Sequence, residues 1–228
     1  MSVSRIIPAC IACLLVLACA KPPEPAPPKP SLTVDVRSDP EKALLALDGK
    51  PLGEAPRVLG MYKEEDLLNL QATLQGQEMV EKRIRFISLE RAEITFVFGK
   101  GRSMMGKALG LPRILVFDYG AGVTFDLNRS VLKPEFLPLL DRQSSMLKAS
   151  FAGLDVFVCG HTDNLGTAER NLALSLERAE AVATHLAAHG VPKERLKVQG
   201  FASQYPVADN GSDAGRALNR RTELVLPQ

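Results

Sequence analysis

Several absences narrow what this chain can be. It has no excess of charge: the formal net charge is +2 over 228 residues, and it falls by one if the segment carrying Arg5 is removed. The strongly basic surface that nucleic acid demands is therefore missing. Long hydrophobic runs are missing too. The longest N-terminal run, Ile6 to Ala18, has 13 residues, short of the roughly 20 that a helix needs to cross a bilayer core. Catalytic and metal signatures are equally scarce. No GxSxG turn surrounds Ser130, Ser175 or Ser203, the serines that could partner His161, and no pair of carboxylates marks a cleft. His185 and His189 stand at i, i+4, but Leu186 occupies the place where the metalloprotease helix pattern needs Glu. They also lie at the far end of a helix roughly 35 Å long, too far to share a site with His161. No enzyme activity, metal or cofactor is expected.

What is present begins with a leader. MSVSRIIPACIACLLVLAC carries one positive charge, then the apolar run, then a small residue before Cys19, the layout of a secretory signal. Val16-Leu17-Ala18-Cys19 resembles a bacterial lipobox, which implies cleavage after residue 18 and acylation of Cys19. Cys10 and Cys13 would leave with the signal, so Cys159, in the apolar run VFVC, has no partner for a disulfide and reads as a small buried thiol. Several acyl chains on one terminus anchor stably, at about 0.8 kcal/mol per buried methylene. Ala20 after the cysteine resembles the pattern that sorts such proteins to the outer membrane, facing the periplasm. Residues 19–30 then supply the lipidated cysteine and a spacer: KPPEPAPPKP holds six prolines in ten residues, which forbids helix and reaches roughly 30 Å as polyproline II.

Residues 31–98 alternate with period 2 in short runs broken at Asp48-Gly49 and Gly76, the pattern of a small all-β sandwich. The words SDPEKALLALDGKPLGEAP (38–56) resemble the PEGA domain, and the resemblance implies a spacer or interaction module without catalytic residues. Residues 99–112, GKGRSMMGKALGLP, carry four glycines and no period, and read as a second linker. From residue 113 strands and helices alternate: a strand in ILVFDYG, a helix from Pro134 to about Ala149, a strand at 155–160, and a long helix at 167–189 stopped by Gly190. Strands at 195–200 and 220–226 complete the domain. This predicts a layered α/β (α+β) domain over 113–228, a mixed sheet covered by helices, with at least one parallel pair. In such sheets binding groups gather beyond the carboxyl ends of the strands, which is where GHTDN (160–164) falls.

On the long helix Asn171, Ser175 and Arg178 form a polar line beside an apolar stripe of Leu172, Leu176, Ala179, Ala183 and Leu186, expected to face the sheet. Asp163 stands at the helix's amino end and Arg178 about three turns along. Two readings of this pair stay open on physical grounds. It is either a grip on a zwitterion, carboxylate for ammonium and guanidinium for carboxylate, or a structural pair in which Asp163 caps the helix.

The words GHTDN, Gly166-Thr167, Asn171, Leu174-Ser175, Arg178-Ala179 and Val182, followed by Gly190-Val191, Gly200-Phe201 and GRALNRR (215–221), resemble the OmpA-like peptidoglycan-binding domain, also found in peptidoglycan-associated lipoproteins. The resemblance implies a non-catalytic partner of the cell wall, whose ligand is the diaminopimelate residue of the peptide stem. It assigns the acidic ligand residue to Asp163 and the basic one to Arg178, with Asn171 in support and Phe125-Asp126 lining the pocket from the loop after the first strand. Of the two adjacent arginines, strand alternation sends one inward, expected to be Arg221. Ala202 departs from the family's frequent glycine. The implied whole is an outer-membrane lipoprotein tethering the envelope to peptidoglycan. A peptidoglycan-modifying hydrolase and a scaffold working through protein partners of the β-module are the alternatives.

Overall fold

The structure, a computed structural model, describes residues 30–228 apart from Glu64, Arg102 and residues 121–123. The expected signal, the Cys19 anchor and nearly all of the proline tract lie outside the described residues.

The β-rich half contains β1 (Leu32–Asp39), β2 (Leu44–Leu47), β3 (Lys50–Glu54), β4 (Arg57–Met61), a short helix α1 (Glu65–Asn69), β5 (Leu70–Thr73), β6 (Glu78–Phe86) and β7 (Arg91–Gly99). The rest contains α2 (Met104–Leu109), β8 (Ile114–Gly120), α3 (Leu137–Ala149), β9 (Val156–His161), α4 (Ala168–Ala188), β10 (Leu196–Gly200), α5 (Asp213–Asn219) and β11 (Arg221–Pro227). Eight strands form one sheet in the order β10-β9-β11-β8-β6-β7-β1-β4, and β3-β2-β5 form a second, antiparallel one. Three neighbouring pairs are parallel, β1 with β7, β6 with β8 and β9 with β10.

β1, β2, β5, β6 and β7 fall in the alternating runs of residues 31–98, but β3 and β4 are further strands and residues 65–69 are helical. Because β6 pairs with β8, these strands join the C-terminal sheet and do not close into a separate sandwich. The joint at 99–112 also departs from expectation. Instead of a linker it holds α2, which carries the chain from β7 across to β8, so that β8 can pair in parallel with β6. Ser103 Oγ accepts a bond from the Gly106 amide at 3.1 Å, and Gly110, at φ 73°, ends the helix. Six residues are too short to display a helical period, which is why the segment reads as structureless. Met105 of α2 is buried with Ile114, Val116, Cys159 and Val225 on one face of the sheet. The opposite face carries the main core: Leu115, Phe117 and Tyr119 of β8 with Leu224 and Leu226 of β11, continuous with Leu139, Leu140 and Leu147 of α3 and with Ala179, Val182 and Leu186 of α4. That core runs on into Leu45, Leu70 and Ala72 of the smaller sheet.

Because β8 and β11 are buried on both faces, polar side chains there must be paired. Asp118 and Glu223, cross-strand neighbours, would repel each other if left alone. Arg83 on β6 bonds Asp118 at 3.1 Å, Glu223 at 2.5 Å and Glu81 at 2.8 Å, while Arg85 bonds Asp118 at 2.7 Å and Arg221 bonds Glu223 at 2.7 Å. Burial lowers the affinity of Arg83 for its proton, yet Glu223, Glu81 and Asp118 together outweigh it and hold the pKa well above its usual place. Burial likewise works to raise Glu223, but Arg221 and Arg83 keep its carboxyl well below the ordinary range. The β-rich half thus supplies two of the three cations that neutralise the acidic centre of the other half.

Candidate functional site

At the carboxyl end of β9 the chain leaves the sheet as HTDN and enters α4 through Thr167, whose Oγ1 accepts from the Arg170 amide at 3.2 Å. Thr167, rather than Asp163, is therefore the helix cap. The 21-residue helix follows the expected apolar stripe at Ala179, Ala183 and Leu186, which are buried, but not in its first turns. Leu172 and Leu176 face outward at 49% and 38% exposure, whereas Asn171, Leu174, Ser175 and Arg178 are buried. The cause is steric. A Cβ on Gly160 would fall 1.9 Å from the Ser175 carbonyl, and one on Gly200 would meet Ser175 Oγ at 2.8 Å. The helix can approach the strand ends this closely only through a small residue opposite two glycines. Ser175 Oγ also accepts the Ala202 amide at 3.1 Å, and Ala202 holds φ 48°, the left-handed region that makes glycine frequent there.

This approach carries the polar line of α4 into a cleft of about 430 Å³ lined by Asp163, Asn171, Arg178, Arg216 and Arg220, together with Leu127, Asn128, Leu165 and Leu174. Asp163 is buried. One carboxylate oxygen accepts the Leu165 amide at 3.0 Å and the other accepts Arg220 Nη1 at 2.6 Å. Asn171 donates to the backbone carbonyls of Asp163 at 3.3 Å and Leu165 at 2.9 Å, holding the loop that presents the carboxylate. Arg178, 2% exposed, donates from Nε to the Arg129 carbonyl at 3.0 Å and from Nη2 to the Asp126 carbonyl at 3.4 Å, and stands over the Phe125 ring, 5.2 Å from its centroid. Its Nη1 is buried with no hydrogen-bond partner among the described residues. Burial, then the nearby Arg220, push its pKa down against the opposing pull of Asp163. Arg178 still carries its charge, so this end of the cleft is short of negative charge.

The sequence-named residues fare differently. Asp163, Arg178 and Asn171 meet in the cleft. Phe125 and Asp126 act from beneath, Phe125 as the platform for Arg178 and Asp126 through its carbonyl, since its carboxylate turns to Lys133 at 3.5 Å. Arg221 does not line the cleft, and that expectation is corrected. It is 1% exposed, bonded to Glu223 and to the Tyr205 carbonyl at 3.0 Å, because in β11 it shares a face with Glu223. Alternation sends its neighbour Arg220 to Asp163 instead. Arg216 was missed as well. It bonds the Asn210 carbonyl at 2.7 Å and pairs with Asp213. His161 is buried, stacks on Phe201 at 5.6 Å and lies 3.4 Å from Glu223. Burial and Arg221 lower its pKa, which keeps the imidazole neutral and structural. Cys159 is free and buried, as its sequence setting implied.

Residues 124–220 match the family model described as the OmpA family. The chain is 35% identical over 112 residues to the probable lipoprotein YiaD of Escherichia coli, covering 49% of this chain and 51% of that protein. It is 29% identical over 175 residues to the peptidoglycan-binding protein ArfA of Mycobacterium tuberculosis, covering 73% of this chain and 53% of that one. Among solved structures, the peptidoglycan-associated lipoprotein from Burkholderia pseudomallei is similar at 35% identity over 46% of this chain and 87% of its own, with a TM-score of 0.43. The chain spans about half the length of these two curated relatives. The C-terminal part of the chain, across the matched residues, is an OmpA-like domain.

Proposed function

We propose that the cleft beside α4 binds the diaminopimelate residue of the peptidoglycan peptide stem, and that the chain is a non-catalytic outer-membrane lipoprotein tethering the envelope to the cell wall. One observation carries the reading: a buried carboxylate and a buried guanidinium with an unused donor line one cleft. The side chain of diaminopimelate ends in an ammonium and a carboxylate on one carbon. Its carboxylate satisfies Arg178 Nη1, with Arg220 alongside, and its ammonium takes a place on Asp163. A buried donor left unpaired costs about 1–3 kcal/mol, and more when it is charged, so the bound carboxylate recovers what the empty cleft forgoes.

Similarity to a peptidoglycan-binding protein of Mycobacterium tuberculosis supports peptidoglycan as the partner. In this reading Cys19 carries the lipid, residues 19–30 form the spacer, and the β-rich PEGA-like half positions the wall-binding end or offers a surface to envelope proteins. Two anchors on one chain raise each other's effective concentration, so even weak contact with the wall holds the layers together.

Sedimentation with purified peptidoglycan tests the proposal. Asp163→Ala and Arg178→Ala each abolish co-sedimentation while the circular dichroism spectrum stays native. Retention of both variants by the wall overturns the charge-pair reading, and release of soluble fragments from intact sacculi points to a hydrolase instead.

A further inference from the structure

Two to three turns beyond Arg178, α4 carries a second cluster that the wall-binding reading does not use. The rings of His185 and His189 stack with centroids 4.1 Å apart, and Asp141 reaches them from α3. Its Oδ1 lies 2.7 Å from His185 Nε2 and 3.3 Å from His189 Nε2. One ligand atom from each of the three residues lies within 4.8 Å of the others.

The hydrogen bonding orients one imidazole for a cation. His189 Nδ1 is 2.8 Å from the His185 carbonyl oxygen, and a carbonyl only accepts, so the proton sits on Nδ1. The lone pair on Nε2 then faces the Asp141 carboxylate. Two electron-rich atoms opposed in this way are relieved either by a second proton on Nε2, which makes an ion pair with Asp141, or by a metal ion between them. Backing a ligating imidazole with a backbone carbonyl on its other nitrogen is the support that metal-binding histidines use. Tetrahedral bonds of about 2.0–2.1 Å separate ligand atoms by roughly 3.3–3.4 Å, the spacing already present between His189 and Asp141. To match that spacing His185 must retreat by roughly 0.6 Å, and the two rings, stacked 20° from parallel, must turn so that both lone pairs meet one ion. Lys148 of α3 donates to the His189 carbonyl at 2.8 Å, which ties the end of α4 to α3 and fixes the separation of the two helices.

We propose that Asp141, His185 and His189 form a surface site for a divalent transition metal of the Zn²⁺ type. Two imidazoles and one carboxylate suit zinc, copper or nickel and not magnesium or calcium, which prefer oxygen alone. Three protein ligands leave a fourth position for water or for a donor from another molecule. Bound metal would clamp α3 against α4, the helix that also carries Asn171 and Arg178, without touching the cleft.

The test is calorimetric titration of the full chain with Zn²⁺ alone, after chelator treatment and with Cys10, Cys13 and Cys19 changed to serine so that thiols do not compete. One Zn²⁺ binds per chain, and a hundredfold excess over Kd raises Tm by about 5–10 °C, while Mg²⁺ leaves it unchanged. His189→Ala and Asp141→Asn each weaken uptake at least about tenfold, the loss typical when a metal's supporting groups are removed. Absence of uptake by the chain with its histidines intact, or uptake that survives in the double variant His185→Ala/His189→Ala, overturns the site.

Discussion

Two clusters of arginine and acid among the described residues, one at the centre of the large sheet and one at its end, differ in completeness. At the centre of the sheet Arg83, Arg85 and Arg221 surround Asp118 and Glu223 with short bonds. At the sheet's end Arg178, Arg220 and Asp163 line an open cleft in which Arg178 reaches only carbonyls and keeps one donor unused. The first cluster is sealed inside the sheet, and the acceptors it leaves unpaired, Asp118 Oδ1 and Glu223 Oε2, are buried away from the cleft. The second retains charge that the fold does not consume. Charge alone therefore does not mark a binding site, whereas unspent hydrogen-bonding capacity beside solvent does.

Breaking the central cluster has the largest expected effect. Arg83→Ala leaves Asp118 and Glu223 facing each other with only Arg85 and Arg221 to offset them, and removing one partner of a buried ion pair costs about 3–5 kcal/mol. Urea denaturation should report that loss, while the protein that remains folded still sediments with peptidoglycan. A variant losing less than about 1 kcal/mol would mean that this network contributes no more than a surface pair does.

A smaller effect sharpens the contrast, because Lys82 is a buried charge with no acid in its hydrogen bonding. Its ammonium donates to the carbonyls of Leu68 and Leu70 at 2.8 and 2.6 Å and lies over Phe96. Burial lowers its pKa to about 7, against about 10.4 for an unfolded lysine. Between those values the unfolded chain binds the extra proton, so stability rises with pH by up to about 1.4 kcal/mol per unit. The denaturation midpoint should increase from pH 7 to pH 8.5, and Lys82→Met should remove that increase. Above this range the Cys159 thiol, pushed up by burial and by Glu223, works in the opposite direction. A flat profile in the parent chain would show that the two carbonyl bonds keep Lys82 charged.

How much of this was legible in the sequence depends on the range of the interactions. GHTDN and the long helix with its Thr167 and Gly190 boundaries are local features, and from them the grouping of Asp163, Asn171 and Arg178 around one cleft was legible. The helix's rotation is not local. It is set by Gly160 and Gly200, 40 residues apart, meeting Ser175, and hydrophobicity alone pointed Leu172 and Leu176 the wrong way. Choosing between Arg220 and Arg221 required the phase of β11, which Glu223 could have signalled, since a buried acid two residues on shares a face with Arg221. The joint at 99–112 was misread although Ser103 and Gly110 are a helix start and stop. The pairing of β6 with β8 links residues more than 30 apart, and no local pattern announces it. Asp141 escaped for the same reason, lying 44 residues before His185.

The central claim is that the cleft holds an amino-acid head bearing both charges. The direct measurement is calorimetric titration of the full chain with a stem peptide containing diaminopimelate, and with the same peptide containing lysine, whose side chain ends in ammonium alone. Binding of the first at one site per chain, weakened at least about tenfold for the second by loss of the charge-assisted contact to Arg178 and absent for both in Asp163→Ala, is the predicted result. Equal binding of the two peptides, or binding that persists without the Asp163 carboxylate, would contradict it.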